Sequence, residues 1–260
     1  MKDIQDARSY TRTLKARIKE WGGDLVGVSL VDPLRELPVD PEDLLDHFST
    51  AISIAVRLPW ATFGEIQNAP TLVYENVYQT ANAILDKIAF NTASHLEKDG
   101  FYSLPIPASQ ITDQAKWYGA ISHKAVARMA GLGWQGKNLL LITPEYGSSV
   151  RLVTVLTTAP LSPDTPIENR CGKCTRCQQA CPAGAIKGVN TRTHYQSRNQ
   201  AVDLDKCLAQ LKKHSGMLES YPLKGGGDPP IEATFHQLIC GICIKVCPFG
   251  KKPKPVLRAD

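Results

Sequence analysis

The residues with the clearest chemical potential are eight cysteines, all of which lie between Cys171 and Cys247. The first run has the spacing Cys-x2-Cys-x2-Cys-x3-Cys-Pro and ends at Pro182. In bacterial ferredoxins with this spacing, three thiolates hold one 4Fe-4S cluster and the fourth binds the other cluster. Zinc sites use two Cys-x2-Cys pairs, and a disulfide framework does not require the proline. The run therefore predicts ligands of iron-sulfur clusters.

A second run and one isolated cysteine complete this pattern. The second run precedes Pro248 and is one ligand short, and Cys207 supplies that ligand. Two neighbouring clusters indicate one-electron transfer, because a single cluster would be enough as a structural element. With the usual exchange of ligands, the expected sets are Cys171, Cys174, Cys177 and Cys247 for the first cluster, and Cys181, Cys207, Cys240 and Cys243 for the second.

The chain changes character near residue 165. Residues 1–170 contain no cysteine, and Pro160, Pro163 and Pro166 mark a connector. We therefore predict two domains, 1–165 and 166–260. The first domain carries its own pattern of strands and helices, whereas the second holds the metal.

Hydrophobic periodicity predicts a mixed α/β first domain. Strands alternate with helices, which favours a layered α/β sandwich. Residues 139–142 and 150–157 are interpreted as a pair of strands joined by a turn at 145–147. The other predicted elements are strands at Leu25–Val31 and Ala51–Val56, a strand starting at Phe101, a long helix with an apolar stripe from Val77 to Leu96, and short helices at 122–130, capped by Ser122, and at Cys207–His214.

Composition narrows the class of protein. The chain has 43% hydrophobic and 21% charged residues, which is ordinary for a globular protein. A net charge of +5 is too small to establish nucleic-acid binding by itself. No uncharged apolar run approaches the length that spans a membrane, and Met1–Lys15 lacks the apolar core of a secretory signal. We therefore expect a cytoplasmic protein without a membrane partner.

Four features follow one another along the chain: AGLGWQGKN (130–138), LLLITPEYG (139–147), VTVLTTAPL (153–161) and the cysteine runs with their detached cysteine. This order resembles that of epoxyqueuosine reductase and, more remotely, of the cobalamin-dependent reductive dehalogenases. The resemblance covers roughly residues 20–250 and is most specific from Ala130 to Pro248. It implies an α+β protein, in which a nitroreductase-like α/β sandwich is followed by a bacterial-ferredoxin-like domain with two 4Fe-4S clusters. It also implies cobalamin in a central cavity.

The resemblance leads to a functional hypothesis. We expect an iron-sulfur oxidoreductase that passes low-potential electrons from a ferredoxin or flavodoxin through the two clusters to a bound cobalamin, for reduction of a small-molecule substrate. The alternative is a non-catalytic electron carrier that reduces a corrinoid protein or another redox partner. The acidic proton donor of the family is missing near Trp117, and no helical-repeat extension follows Cys247. For these reasons we do not expect tRNA as a partner.

Individual residues are candidates for the remaining roles. Tyr118 and His123 are candidate proton donors in place of the missing acid, although both are also compatible with packing or capping. Lys124, Arg128 and Arg151 are candidates for binding an acidic substrate, or belong to a solvated face. The resemblance implies that the loop after the 122–130 helix approaches the corrin, so the expected cofactor-binding residues are Trp134, Gly136, Lys137 and Asn138.

Overall fold

The computed structural model of the protein describes residues 6–113, 118–219 and 238–253. Its helices are α1 (Ala7–Glu20), α2 (Ala61–Gly64), α3 (Leu72–Lys98), α4 (His123–Met129), α5 (Arg176–Gln179), α6 (Arg198–Ala201), α7 (Leu204–Glu219) and α8 (Ile242–Lys245). Its strands are β1 (Leu25–Leu30), β2 (Thr50–Arg57), β3 (Ser103–Ile106), β4 (Trp134–Gln135), β5 (Leu141–Ile142) and β6 (Val150–Thr157). The mixture of helix and sheet confirms the predicted class, whereas the nitroreductase-like and ferredoxin-like assignments stay predictions.

Four strands form an antiparallel sheet in the order β1-β2-β6-β3. The register of the central pair runs from Thr50 opposite Thr157 to Arg57 opposite Val150. The predicted pairing of 139–142 with 150–157 is wrong, because β5 pairs with β4 and β6 pairs with β2 and β3. The turn signal between the two apolar runs did not decide their partners: β6 pairs with strands distant in sequence, and β5 pairs with a two-residue strand a few positions before it.

The two faces of the sheet are covered by different helices. On one face, Ile52 and Ile54 of β2 pack with the buried stripes of α1 and α3. On the other face, Ala55 packs with Ala127 of α4. Alternation of side chains along each strand sends successive residues to opposite faces, so both faces of β2 are apolar. The sheet is therefore the middle layer of a sandwich.

The long helix α3 joins the sheet to the cysteine-containing segments. Thr71 caps its first turn by accepting a hydrogen bond from Tyr74 N at 3.1 Å. The first turns of α3 pack with Ile239 and Ile242 from the second cysteine run, together with Phe63 of α2. In the described part of the chain, no helix has both the length and the apolar character needed to cross a bilayer.

Candidate functional site

The thiols of the first predicted set line one cavity. This first cysteine set consists of Cys171, Cys174, Cys177 and Cys247, and the cavity is also lined by Lys137 and Asn138. The set joins residues far apart in sequence, because Cys247 arrives from the second run. The exchange of ligands expected from the spacing is thus compatible with the folded chain.

Hydrogen bonds hold the first motif against the loop that follows β4. Asn169 is the central residue, because its Oδ1 accepts a hydrogen bond from Cys171 N at 2.8 Å. Its Nδ2 donates to the Gln135 carbonyl oxygen, also at 2.8 Å. In addition, Lys137 Nζ donates to the carbonyl oxygen of Cys174 at 2.9 Å. The backbone of the motif is therefore oriented by side chains that come from outside it.

Trp134 leaves a buried donor beside this set. Its side chain is fully buried and packs with Cys171, Cys247 and Phe249. Within the described residues, its Nε1 has no hydrogen-bond partner. Buried donors without a partner are rare in native proteins and call for an explanation. A cluster sulfur at this position would be an acceptor, so the orphaned indole fits an iron-sulfur cluster held by the first set.

The thiols of the second predicted set also lie together. This second cysteine set consists of Cys181, Cys207, Cys240 and Cys243. Cys207, Cys240 and Cys243 line a larger cavity of about 350 Å³, called the main cavity below. The Cys181 thiol is close enough to raise the pKa of both Cys207 and Cys240, after the larger effect of burial. Cys181 Sγ also accepts a hydrogen bond from Ala185 N at 3.3 Å.

In both cysteine sets the environment disfavours the charged thiolate form unless a positively charged group is bound. Burial and then neighbouring thiols raise the pKa of Cys177 to about 11 and raise that of Cys243 as well. Thiolates are the form that binds metal, so an iron cluster would supply the missing positive charge. No three His, Cys, Asp or Glu side chains of residues 6–113, 118–219 and 238–253 are grouped to hold a single ion. A four-iron cluster differs, since each thiolate binds a separate iron.

A glycine shapes the approach to the second set. Gly241 precedes α8 with a φ of +79°. A Cβ at this position would lie 2.6 Å from Ile66 Cδ1 and 2.9 Å from a ring carbon of Tyr74. The position between Cys240 and Cys243 therefore requires glycine for both conformation and space.

The main cavity combines three thiols of the second cysteine set with polar side chains from the sheet and helices. Asn138 is notable, since it lines both this cavity and the one of the first set. The polar residues that line the main cavity are Tyr74, Tyr78, His123, Lys124, Asn138, Ser148 and Arg151. A cavity with thiols on one wall and ionisable groups on the others is suited to reduction coupled to proton transfer.

His123 lies in this cavity with both ring nitrogens engaged. Nε2 lies 2.9 Å from the carbonyl oxygen of Pro107, and Nδ1 lies 2.8 Å from Thr154 Oγ1. Because a carbonyl can only accept, Nε2 carries the proton and Nδ1 accepts from the Thr154 hydroxyl. Burial, together with the charge of Arg151, lowers the pKa of His123 to about 4. In this geometry His123 is neutral and carries its proton at Nε2, bonded to the Pro107 carbonyl oxygen, and its role as a proton donor stays a prediction.

Two cations face the same cavity. Arg151 Nε donates to Asn82 Oδ1 at 2.9 Å, and its guanidinium lies 4.0 Å from the centre of the Tyr78 ring. The Lys124 side chain is exposed, but protein atoms around the cavity desolvate it, and this effect, then Arg198 and Arg151, lower its pKa to about 8. The structure therefore brings together Lys124 and Arg151, which the sequence offered only as scattered basic residues.

Tyr118 is not brought into this group. It pairs through its backbone with Asp113, its ring lies 4.0 Å from the guanidinium of Arg198, and it is not among the residues that line the main cavity. Residues 114–117, where the family's acid was sought, lie outside the described residues.

The four expected cofactor-binding residues are found near the cysteine sets. Trp134 and Lys137 lie against the first set, and Asn138 lies between the two cavities. A Cβ at Gly136 would lie 2.7 Å from Asn138 Oδ1, so the glycine allows this loop to close tightly. Asn138, on the wall shared by both cavities, is the one expected residue that faces both.

The fold that carries the sheet, the long helix α3 and the two cysteine sets is found in proteins of known structure. The fold is similar to that of a reductive dehalogenase whose structure suggested a mechanism for B12-dependent dehalogenation, with a TM-score of 0.70 and 20% identity over 96% of this chain and 33% of that chain. It is also similar to an epoxyqueuosine reductase solved with an epoxyqueuosine-modified tRNA-Tyr stem loop, with a TM-score of 0.59 and 24% identity over 92% of this chain and 65% of that chain. At these identities the likeness shows the fold.

Sequence comparison distinguishes between these two groups of proteins. The chain is 39% identical to an epoxyqueuosine reductase of Bacillus anthracis, over 95% of this chain and 64% of that protein. An epoxyqueuosine reductase of Gloeobacter violaceus is 47% identical over 51% of this chain and 37% of its own length. The chain is thus a relative of the epoxyqueuosine reductases, which confirms the resemblance, and it spans less than two thirds of either protein. No protein-family model matches the chain.

These comparisons correct one expectation. We did not expect tRNA as a partner, yet a structure with the same fold is bound to a tRNA stem loop and the sequence relatives are epoxyqueuosine reductases. The prediction against tRNA is therefore wrong. It depended on a missing acid and on where the chain ends, and neither feature decides what the rest of the surface binds.

Proposed function

We propose that this chain is an iron-sulfur reductase in which two 4Fe-4S clusters deliver electrons to the main cavity, where an electrophilic group of a modified tRNA nucleoside is reduced. The observation that carries the proposal is the position of Cys207, Cys240 and Cys243 on the wall of a cavity that also holds Lys124 and Arg151. A cluster on these thiolates would be in contact with the site of reduction.

The stoichiometry matches one-electron carriers. Removal of an epoxide oxygen breaks both of its carbon-oxygen bonds, takes up two electrons and two protons, and releases water. Each cluster transfers one electron at a time, so an external low-potential donor, a ferredoxin or flavodoxin, supplies two electrons in succession through the clusters. Lys124 lines the cavity and holds an exchangeable proton at neutral pH, which supports it as a proton source. Arg151 is positioned to bind an anionic part of the substrate.

Cobalamin is the cofactor that we propose for the same cavity. When bound, it supplies a cobalt centre that takes up single electrons and reacts with electrophilic carbon. The cavity, at about 350 Å³, lies near the lower end of the range of about 300–1,000 Å³ for ligand sites, so the described residues would enclose part of a corrinoid. Leu238 and Ile239 line it immediately after residues 220–237, which are not described. Support for cobalamin comes from this position beside the second set and from the dehalogenase fold.

The proposal is tested in three steps on anaerobically reconstituted protein. The first step measures about eight irons and eight sulfides per chain. The second step adds cobalamin and records whether its visible spectrum changes on binding and then on addition of dithionite. Cys243→Ala should retain corrinoid binding and lose its reduction, whereas Lys173→Ala, an exposed neighbour of the first set, should behave as the parent.

The third step supplies an epoxyqueuosine-modified tRNA-Tyr stem loop and detects the reduced nucleoside by mass spectrometry. Two zinc ions without labile sulfide would end the iron-sulfur proposal. An unchanged cobalamin spectrum would refute cobalamin as the cofactor and favour the electron-carrier alternative. If protein with intact clusters leaves the nucleoside unreduced, the proposed substrate is refuted.

A further inference from the structure

Helix α1 concentrates positive charge. It contains five basic residues and one acidic residue, whereas the whole chain has a net charge of only +5. This uneven distribution is not required by the fold, because the residues that α1 buries are Thr11, Leu14 and Ile18. The outer surface of α1 is therefore free to serve another purpose.

Four of the basic residues share one face of the helix. Arg8, Arg12, Lys15 and Lys19 are separated by four, three and four positions, which places them side by side. At 1.5 Å per residue, Arg8 and Arg12 are separated by about 6 Å along the axis. Like charges at such spacing repel, so an anion lying along this face would stabilise the helix.

The same residues form one wall of an open groove. The groove has a volume of about 550 Å³, and its opposite wall is the connector segment from Ser162 to Asp164. Lys15 Nζ donates to Asp164 Oδ1 at 2.7 Å, and Asp164 Oδ2 also accepts from Val28 N at 2.7 Å. This ion pair fixes the connector against the helix and neutralises one cation.

The other three cations of the groove are available. Arg8, Arg12 and Lys19 are exposed, and within the described ranges they form no ion pair. A groove with three exposed cations and one neutralised cation is complementary to a chain of phosphates. A membrane surface fits less well, because the apolar side of α1 is buried in the core and cannot enter lipid.

We propose that Arg8, Arg12 and Lys19 bind the phosphate backbone of the RNA whose modified nucleoside enters the main cavity. The inference rests on the proposed function, since the main cavity is far too small to hold more of an RNA than its reacting end. The remainder of the RNA lies outside, and backbone contacts of this kind set its register without reading its sequence. The tRNA stem loop bound by a protein of the same fold supports an RNA ligand.

The experiment compares two triple variants that lose the same charge. Arg8→Gln/Arg12→Gln/Lys19→Gln removes the cations of the groove. Arg17→Gln/Lys87→Gln/Lys98→Gln removes three exposed cations of α1 and α3 that do not line it. Affinity for an unmodified tRNA-Tyr stem loop is measured by fluorescence anisotropy at several salt concentrations, using protein with equal iron content.

The groove variant should bind roughly tenfold or more weakly, and the slope of log K against log salt should become shallower by about 2 to 3. The control should retain nearly the parent affinity and slope. Arg8→Lys/Arg12→Lys keeps the charge and should keep most of the binding, which separates charge loss from misfolding.

Three results would overturn the inference. Equal losses in the two triple variants would mean that only net charge matters. Parent-like RNA binding by the groove variant would refute this groove as the RNA-binding surface and would leave the proposed function unaffected. A parent that binds no RNA, or that prefers phosphatidylserine vesicles, would contradict both the surface and the tRNA substrate.

Discussion

The side-chain nitrogen of Lys137 lies 2.9 Å from the carbonyl oxygen of Cys174, and the lysine side chain is almost fully buried. A buried ammonium is costly unless it is hydrogen-bonded or paired with charge. Here the carbonyl supplies the hydrogen bond, and the thiols of the first set lie in the same cavity. The pair ties the loop after β4 to the first cysteine motif.

Replacing Lys137 by Met should therefore destabilise the protein. The substitution keeps most of the apolar stem but leaves the Cys174 carbonyl without its donor, which costs about 1–3 kcal/mol of unfolding free energy. Urea denaturation of the anaerobic protein measures the change. Lys173→Met, at an exposed position next to Cys174, is the matched control and should be within about 0.5 kcal/mol of the parent. Equal stabilities for the two variants would show that the buried contact is not stabilising.

Trp134→Phe should lower the reduction potential of one cluster only. The variant keeps an aromatic ring against Phe249, whose centroid is 4.9 Å away, but removes the buried N-H. Hydrogen bonds to cluster sulfur stabilise the reduced, more negative state, so their loss makes reduction harder. Redox titration followed by electron paramagnetic resonance separates the two clusters. Identical titrations for parent and variant would show that the indole does not donate to the cluster.

Cys207→Ala and Cys174→Ala should each damage a different cluster. Cys207 lies with the second set and Cys174 with the first. We expect each variant to retain about half of the iron, because the other four thiolates are intact. The remaining electron paramagnetic signal should differ between the two. Full iron content in Cys207→Ala would exclude this residue as a ligand.

The protein should lose stability as the pH falls from about 6.5 towards 4, in part through His123. Its pKa is lowered to about 4 in the folded state, so between these values the unfolded chain binds more protons than the folded chain. His123 therefore contributes stability that is present above pH 6.5 and is lost as the pH falls through 4. His123→Gln should show a shallower decline in unfolding free energy over this window. A decline as steep as that of the parent would mean that other groups account for it.

The main elements of secondary structure were predictable because their signals are local. The stripe from Val77 to Leu96 lies within α3, and Ser122 caps α4 by accepting from Ala125 N. The buried runs at 25–31 and 51–56 are β1 and β2. The partner of β5 was not predicted, because the neighbouring strand β4 has only two residues and is too short to show a strand period.

In the candidate site, too, the features with a local sequence signal were predicted and the others were not. Cysteine spacing alone grouped the eight thiols into two sets, because spacing limits which thiolates can reach one cluster. The prediction against tRNA failed, since it relied on missing features rather than on the surface that is present. The sequence analysis did not single out the cations of α1, although their regular spacing in the sequence is a signal that could have found them.

The amino-acid sequence by itself predicted the kind of metal chemistry, most of the α and β elements and the relationship to epoxyqueuosine reductases. Only the tertiary structure decided that Asn138 lies between the two cavities and that Lys124 and Arg151 line the same cavity as the second cysteine set. It also decided that Asp164 pairs with Lys15 in the groove beside α1. The physical reason is that helical and strand periods and ligand spacings act over a few residues. Cavities and charged grooves are formed by side chains that meet only after distant segments have packed.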